Sequence, residues 1–246
     1  MANGINMDFI IPSRHDTAYV LRLLEQAAEN PWWMTHTFHF VFDVNAQESI
    51  HKLRTWLSEN SDKPLPTVKT YHAPPQATGR PNLLRQIGLN QGENPYVYFQ
   101  DDDDSLPKNI DACLEVLQDN PECGAVFGLT ETYTPRGQRI ERFPSLDLDV
   151  YGTGHLVEGM RIFPTYGHAL SGVFRREVFQ DTPLDDGQNY QMCGINAFIL
   201  ALLENWPDVR AIPKVVRQVR QNPENPHSPV FDQRRRLLFA EDISLW

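Results

Sequence analysis

The stretch Tyr96-Val97-Tyr98-Phe99-Gln100-Asp101-Asp102-Asp103-Asp104 decides the fold. Tyr96–Gln100 is aromatic and apolar, which reads as a buried strand. Four adjacent carboxylates end it. They repel one another, so something must offset that cost. A hard divalent cation does so, since Mg²⁺, Mn²⁺ and Ca²⁺ take oxygen ligands. On an extended segment alternate side chains share a face, which pairs Asp101 with Asp103 and Asp102 with Asp104. Two carboxylates suit a metal that completes its shell with water and substrate phosphates. The competing reading is a solvated acidic turn that caps a helix over Leu106–Leu117, with Asp104 or Ser105 as N-cap.

Outward from this run, short apolar stretches alternate with amphipathic ones. Met7–Ile11 is a strand candidate stopped by Pro12, and Asp16 can cap a helix over Thr17–Glu29. Strands follow at Phe38–Phe42, Thr67–Tyr71 and Ala125–Thr130, with helices at Gln47–Ser58 and Pro81–Gly88, the last closed by Gly92. This spacing predicts βαβ units and a parallel sheet covered on both faces, with ligands beyond the carboxyl ends of the strands. Ser13, Asp43 and Asp101 each follow a strand. Beyond Tyr133 the chain is less regular. Tyr133–Gly167 reads as loops and a hairpin, Tyr190–Glu204 as a helix, and Val209–Ile212 and Val215–Val219 as two strands split by Pro213. Val230–Leu245 reads as a terminal helix.

The 22 basic and 32 acidic residues give a net charge of −10, which disfavours a protein that coats nucleic acid or anionic membrane. Against that background Val209–Arg236 is basic. It reads as surface charge pairing with the acidic remainder, or as a contact for a diphosphate or an anionic acceptor. The three cysteines, Cys113, Cys123 and Cys193, have no CxxC spacing, so neither a disulfide framework nor a zinc site is expected. Trp32 and Trp33 read as packing or surface residues. Met1–Asp8 lacks a signal-peptide pattern and no apolar run approaches a membrane span. The expectation is a soluble, cytoplasmic α/β protein. It has one domain over 1–246, a ligand-binding half at 1–130 and an acceptor half with a C-terminal helix at 131–246.

These residues together resemble the GT-A glycosyltransferases of family 2. Leu84-Arg85-Gln86-Ile87-Gly88, Asn94-Pro95-Tyr96 and Val97–Asp104 are similar to that family's ARNxGI, Gly-Glu-Tyr and FLDxDD series. Ile10-Ile11-Pro12-Ser13-Arg14 resembles its opening strand, and Phe42-Asp43-Val44-Asn45 stands where it has VDDGS. Gly167–Glu177 resembles the segment before its acceptor-side helix. Gln86 and Val44 depart from the pattern, and the later Glu-Asp motif has no clean copy.

The resemblance implies a single Rossmann-like GT-A domain, with a mostly parallel central sheet and a smaller mixed acceptor-side sheet. It implies transfer of a sugar from a nucleotide diphosphate, UDP favoured, with Mn²⁺ or Mg²⁺ and inversion. By analogy Asp103 binds the metal directly, Asp101 is counted with it among the metal residues and contacts the ribose or a metal-bound water, and His227 completes the metal shell. Pro12, Ser13 and Asp43 line the base and ribose pocket, and Arg85 sits near the uracil or diphosphate. Arg14 and Asp102 are counted with the nucleotide-sugar contacts, and His168 with the donor sugar or acceptor. Inversion needs a carboxylate opposite the leaving group, and Asp186 then Asp185 are the candidates. The acceptor is open: a glycan, a protein, a lipid-linked or small molecule, or nucleic acid. Two other functions compete, a nucleotidyltransferase and a catalytically silent sugar- or nucleotide-binding module. Against the first, no Gly-rich basic phosphate loop follows the opening strand.

Overall fold

The computed structural model describes residues 5–13, 17–43, 46–134, 136–144, 170–182, 184, 194–206 and 208–220. Their elements run β1 (Met7–Ser13), α1 (Thr17–Ala28), β2 (Thr37–Phe42), α2 (Gln47–Glu59), β3 (Thr67–His72), α3 (Pro81–Gln91) and β4 (Tyr96–Phe99). Then come α4 (Ile110–Asp119), β5 (Ala125–Tyr133), β6 (Arg139–Pro144), β7 (Gly172–Arg175), α5 (Val178–Asp181), α6 (Gly194–Asn205) and β8 (Val209–Arg220).

The strands form one sheet in the order β3-β2-β1-β4-β7-β5-β6, with β8 also paired to β5. β1, β2, β3 and β4 are mutually parallel, as the alternation of strands and helices predicts. β7 is antiparallel to both β4 and β5, and β6 is antiparallel to β5. The mixed portion is therefore continuous with the parallel one through β4 and β7.

Period-2 alternation assigns the helices to the two faces. Met7, Phe9 and Ile11 point to a core shared with Val20, Leu23 and Leu24 of α1, Ile50 and Leu53 of α2, and Cys113, Leu114 and Leu117 of α4. Trp33 joins this core with its ring 5.2 Å from that of Phe9. Ile10, Val97 and Phe99 point the other way, toward α5 and toward Phe198, Ile199 and Leu202 of α6. α3 covers the same face so closely that a Cβ at Gly88 would lie 2.6 Å from Ile10 and 2.9 Å from Val41.

Three expectations are corrected. Pro12 does not stop β1, which continues to Ser13 and pairs Pro12 with Val41. The Ile10 carbonyl faces β4, where it accepts from Gln100 N–H at 3.0 Å. Pro12, two residues on, faces the same side past the end of β4, so its missing N–H costs no ladder bond. Pro213 does not split β8. A register shift against β5 absorbs it at Gly128, where the Lys214 carbonyl would lie 2.5 Å from any Cβ. Finally, the helix after the aspartates begins at Ile110 with Asn109 as N-cap, so neither Asp104 nor Ser105 caps it. Ser105 instead bridges to Gln218, Leu106 N–H donates to Gln26 Oε1 at 3.1 Å, and Leu106 precedes a proline, which disfavours helix there.

Candidate active site

β1 has β2 and β3 on one side and β4 on the other, so the strand order reverses between β1 and β4. Open α/β sheets leave a crevice at such a switch point, beyond the carboxyl ends of the strands. Ser13 at the end of β1, Asp43 just after β2 and Asp101–Asp104 after β4 all stand there.

The aspartates form a turn, not an extended run. Asp104 N–H donates to the Asp101 carbonyl at 3.3 Å. The Gln100 amide clamps the turn, donating to the carbonyls of Asp101 at 2.8 Å and Ser105 at 3.3 Å. The expected pairing of Asp101 with Asp103 and Asp102 with Asp104 fails for this reason. Asp101 and Asp104 come together instead, on the guanidinium of Arg217 from β8. Arg217 donates from Nε and Nη2 to Asp104 Oδ2, at 2.9 and 2.7 Å, and from Nη2 to Asp101 Oδ2. Its Nη1 donates to Ser171 Oγ at 3.2 Å.

Other arginines complete the surroundings. Arg85, on α3 and almost buried, donates to Asp101 Oδ1 at 2.5 Å and to Asn82 Oδ1 at 2.9 Å. Arg22, on α1, donates to the carbonyls of Asp103 at 2.8 Å and Asp104 at 3.2 Å. The Arg220 backbone N–H donates to Asp104 Oδ1 at 3.2 Å. Asp102 lies apart from these cations, and its Oδ2 accepts from Ser13 Oγ at 2.7 Å.

The charges follow from these contacts. Burial would raise the Asp101 carboxyl, but the Arg85 and Arg217 guanidiniums outweigh it and hold it well below the usual range. Arg217 is itself raised, because Asp104 and Asp101 overcome the cost of its burial. Asp102 goes the other way. Burial pushes it up to about 7, the like charges of Asp103 and Asp101 add to the shift, and the Ser13 hydrogen bond opposes it. Asp104 is pushed up to about 7 as well, because burial and the charges of Asp101 and Asp103 outweigh the pull of Arg217. The turn thus holds one firmly ionised carboxylate, Asp101, between two guanidiniums, and two carboxyls, Asp102 and Asp104, raised by burial and like charge.

Of the expected site residues, Pro12, Ser13, Asp43, Arg85 and Asp101–Asp103 are described and converge on the switch point. Asp43 Oδ2 accepts from Gly79 N–H at 3.3 Å, and Gly79 takes the left-handed φ of 71° that favours glycine. Arg14, His168, Asp185, Asp186 and His227 lie outside the described residues, as does the proposed terminal helix. The sequence reading singled out neither Arg22 nor, except as one of a basic stretch, Arg217. A signal for Arg217 was available: a cation inside the run Val215-Val216-Arg217-Gln218-Val219 needs a buried partner.

No group of three or more His, Cys, Asp or Glu among the described residues could hold a metal ion. The donor set still fits a hard cation that brings water and phosphate oxygens with it. Asp102 and Asp103 are adjacent oxygen donors, and the strained ionisation of Asp102 is what a cation would relieve.

No protein-family model and no curated protein matches the sequence. Solved structures do match, and they define the fold as that of the GT-A type of glycosyltransferase domain. The matches include S. aureus TarS, at 16% identity and a TM-score of 0.62, covering 89% of this chain and 37% of that one. TarS 1-349 in complex with UDP matches at 16% identity and a TM-score of 0.63, covering 89% and 62%. TarS 1-349 in complex with UDP-GlcNAc matches at 14% identity and a TM-score of 0.61, covering 96% and 66%. The chain thus spans between 37% and 66% of the length of these solved chains. No helix among the described residues is long and apolar enough to cross a membrane.

Proposed function

We propose that the protein is a nucleotide-sugar glycosyltransferase that uses a UDP-sugar donor, requires a divalent cation and inverts the anomeric centre. The observation that carries this reading is the aspartate turn at the switch point, flanked by Ser13, Asp43 and Arg85. The likeness to a protein solved with UDP and with UDP-GlcNAc supports the choice of donor.

In this reading Asp43 and Ser13 line the nucleoside pocket with Pro12, and Arg85 steers the diphosphate with a fixed, always-charged guanidinium. Arg14 and His168 belong with the donor contacts. Asp103 and Asp102 would hold Mn²⁺ or Mg²⁺, with His227 as a further ligand. When bound, the ion supplies neutralisation of charge on the departing diphosphate. Asp186, or Asp185 beside it, takes the proton of the acceptor hydroxyl. The hydroxyl oxygen then attacks the anomeric carbon, and the bond to the diphosphate breaks with its electron pair on the phosphate oxygen.

The test is a thermal-shift and calorimetric panel of UDP, GDP, TDP, CDP and ADP, each with and without Mn²⁺ or Mg²⁺. UDP with metal should stabilise the fold by about 2.7 kcal/mol at a hundredfold excess over Kd. Asp103→Ala should lose that response and lower transfer by roughly 10²-fold or more while the fold survives. A protein indifferent to every nucleotide diphosphate would overturn the reading.

A further inference from the structure

We propose that Arg22 of α1 and Arg220 of β8 together form a site for a phosphate group, on the α1 side of the aspartate turn. The inference deepens the proposed function. It rests on that reading only in taking the carboxyl ends of the strands as the place where a phosphate-bearing ligand enters.

Asp104 brings the two arginines together. Arg22 donates from Nη2 to the Asp104 carbonyl at 3.2 Å and to the Asp103 carbonyl at 2.8 Å. Arg220 meets the same residue through its backbone, whose N–H donates to Asp104 Oδ1 at 3.2 Å. Neither guanidinium forms an ion pair with a carboxylate among the described residues, whereas those of Arg85, Arg139, Arg176, Arg210 and Arg217 each do. Arg22 Nε is buried and has no hydrogen-bond acceptor. Burial and then the like charge of Arg220 hold the Arg22 guanidinium below its ordinary value, against the smaller opposing influences of Tyr19, Asp103 and Asp104. An acidic chain of net charge −10 therefore keeps two mutually repelling cations at its ligand end, one of them with a buried, unanswered N–H.

A phosphate group answers both costs at once, because it brings negative charge and several acceptor oxygens. Two guanidinium forks suit it better than they suit a carboxylate, whose two oxygens are filled by one fork. Arg85 reaches the turn from α3, on the face of the sheet opposite α1. The phosphate held by Arg22 and Arg220 is therefore a different one from that steered by Arg85. Its source is either the second phosphate of a donor diphosphate or a phosphate carried by the acceptor.

The experiment titrates inorganic pyrophosphate calorimetrically into the metal-free protein. Arg22→Gln and Arg220→Gln should each weaken binding by roughly tenfold, and the double variant by more. Arg220→Gln keeps the backbone N–H on Asp104, so the turn retains that bond. Arg220→Lys should recover part of the affinity. The same titration on UDP-saturated protein separates the two sources. Pyrophosphate excluded by UDP assigns the site to the donor, and pyrophosphate bound beside UDP assigns it to a phosphate-bearing acceptor. An Arg22 that only holds the turn would lower the melting temperature of Arg22→Gln and leave pyrophosphate affinity unmoved, which overturns the proposal. Equal affinity in wild type and Arg220→Gln overturns it too, as does pyrophosphate binding to none of these chains. Should Arg22→Gln not fold, Arg220→Gln decides alone. Pyrophosphate binding lost in Arg220→Gln, in a protein indifferent to every nucleotide diphosphate, would uphold this site and sink the UDP-sugar reading, so the two failures are distinct.

Discussion

Two acidic centres, one buried and one partly exposed, sit at opposite ends of the same parallel strands, and they are built differently. At the amino end of β1, Asp8 is a single carboxylate with both oxygens filled. Oδ1 accepts from His39 Nε2 at 2.8 Å and Asn94 Nδ2 at 2.7 Å, and Oδ2 accepts from Asn94 N–H at 3.0 Å and Arg176 Nη2 at 2.5 Å. Burial opposes its ionisation, yet the His39 hydrogen bond and the charges of His39 and Arg176 hold its carboxyl below the usual range. At the carboxyl end of β4 there are four carboxylates, and Asp102 is forced up by burial and its neighbours. One centre is finished by the fold. The other stands at the end of the strands where α/β sheets bind ligands.

The sharpest way to break this contrast is Asp8→Asn. An asparagine accepts at one oxygen only, so it turns a donor toward His39, Asn94 or Arg176. It also leaves Arg176 and its neighbours without the charge they surround. Urea denaturation should show a loss of about 3–5 kcal/mol, the usual cost of removing one partner of a buried ion pair. A loss below about 1 kcal/mol would show that the amino end is no better finished than the carboxyl end. The sign with pH follows the same logic. A depressed carboxyl contributes stability above its unfolded pKa near 4 and loses it as the pH falls through the folded value.

His36 sharpens the comparison, because it lies beside the same end without a partner for Nδ1. Its ring packs against Trp32 at 4.1 Å and Phe9 at 5.7 Å, and burial alone drives its pKa down to about 4. The neutral form is the folded one. Stability is therefore complete above the unfolded value near 6.5 and is lost as the pH falls from there to about 4, by up to about 3 kcal/mol. His36→Phe keeps the ring contacts and should flatten the stability curve over that window. A curve of unchanged slope would mean that another group carries the titration.

The order of elements was legible because it rests on local pattern. The 2- and 3.6-residue periods, Pro81 at the start of α3 and Gly92 at its end are each decided within a few residues. What escaped depends on distant partners. The aspartate turn needs Arg217, more than a hundred positions away, and Pro213 is tolerated because β5 supplies Gly128 opposite it. Asp8 drew no notice as a lone acid in Met7–Ile11, since its reason for being there is spread over β2, Asn94 and Arg176. The aspartates of the candidate site were found from chemistry alone, because four adjacent carboxylates demand an explanation in any fold. How they pair was beyond reach without the turn.

The smallest expected effect is also the most diagnostic, because its sign opposes that of Asp8. Asp102 has a raised carboxyl, about 7 against an unfolded value near 4. A raised acid contributes its stability below the unfolded value, and that stability is lost as the pH rises toward 7. At pH 8 the ligand-free protein therefore carries an ionised carboxylate that its surroundings disfavour. Asp102→Asn removes the charge and keeps the shape, so it should stabilise the protein at pH 8. The gain should be about 1–2 kcal/mol, a figure reduced for the partial exposure of the site. At about pH 3, below the unfolded value, the side chain is neutral in both the folded and the unfolded wild-type chain, and the two proteins should melt together. Addition of Mn²⁺ at pH 8 should then stabilise the wild-type chain more than the variant, closing the gap. Asp102→Asn that destabilises at pH 8 would place Asp102 among the finished contacts, alongside Asp8, and would leave Asp103 without its expected companion at the cation.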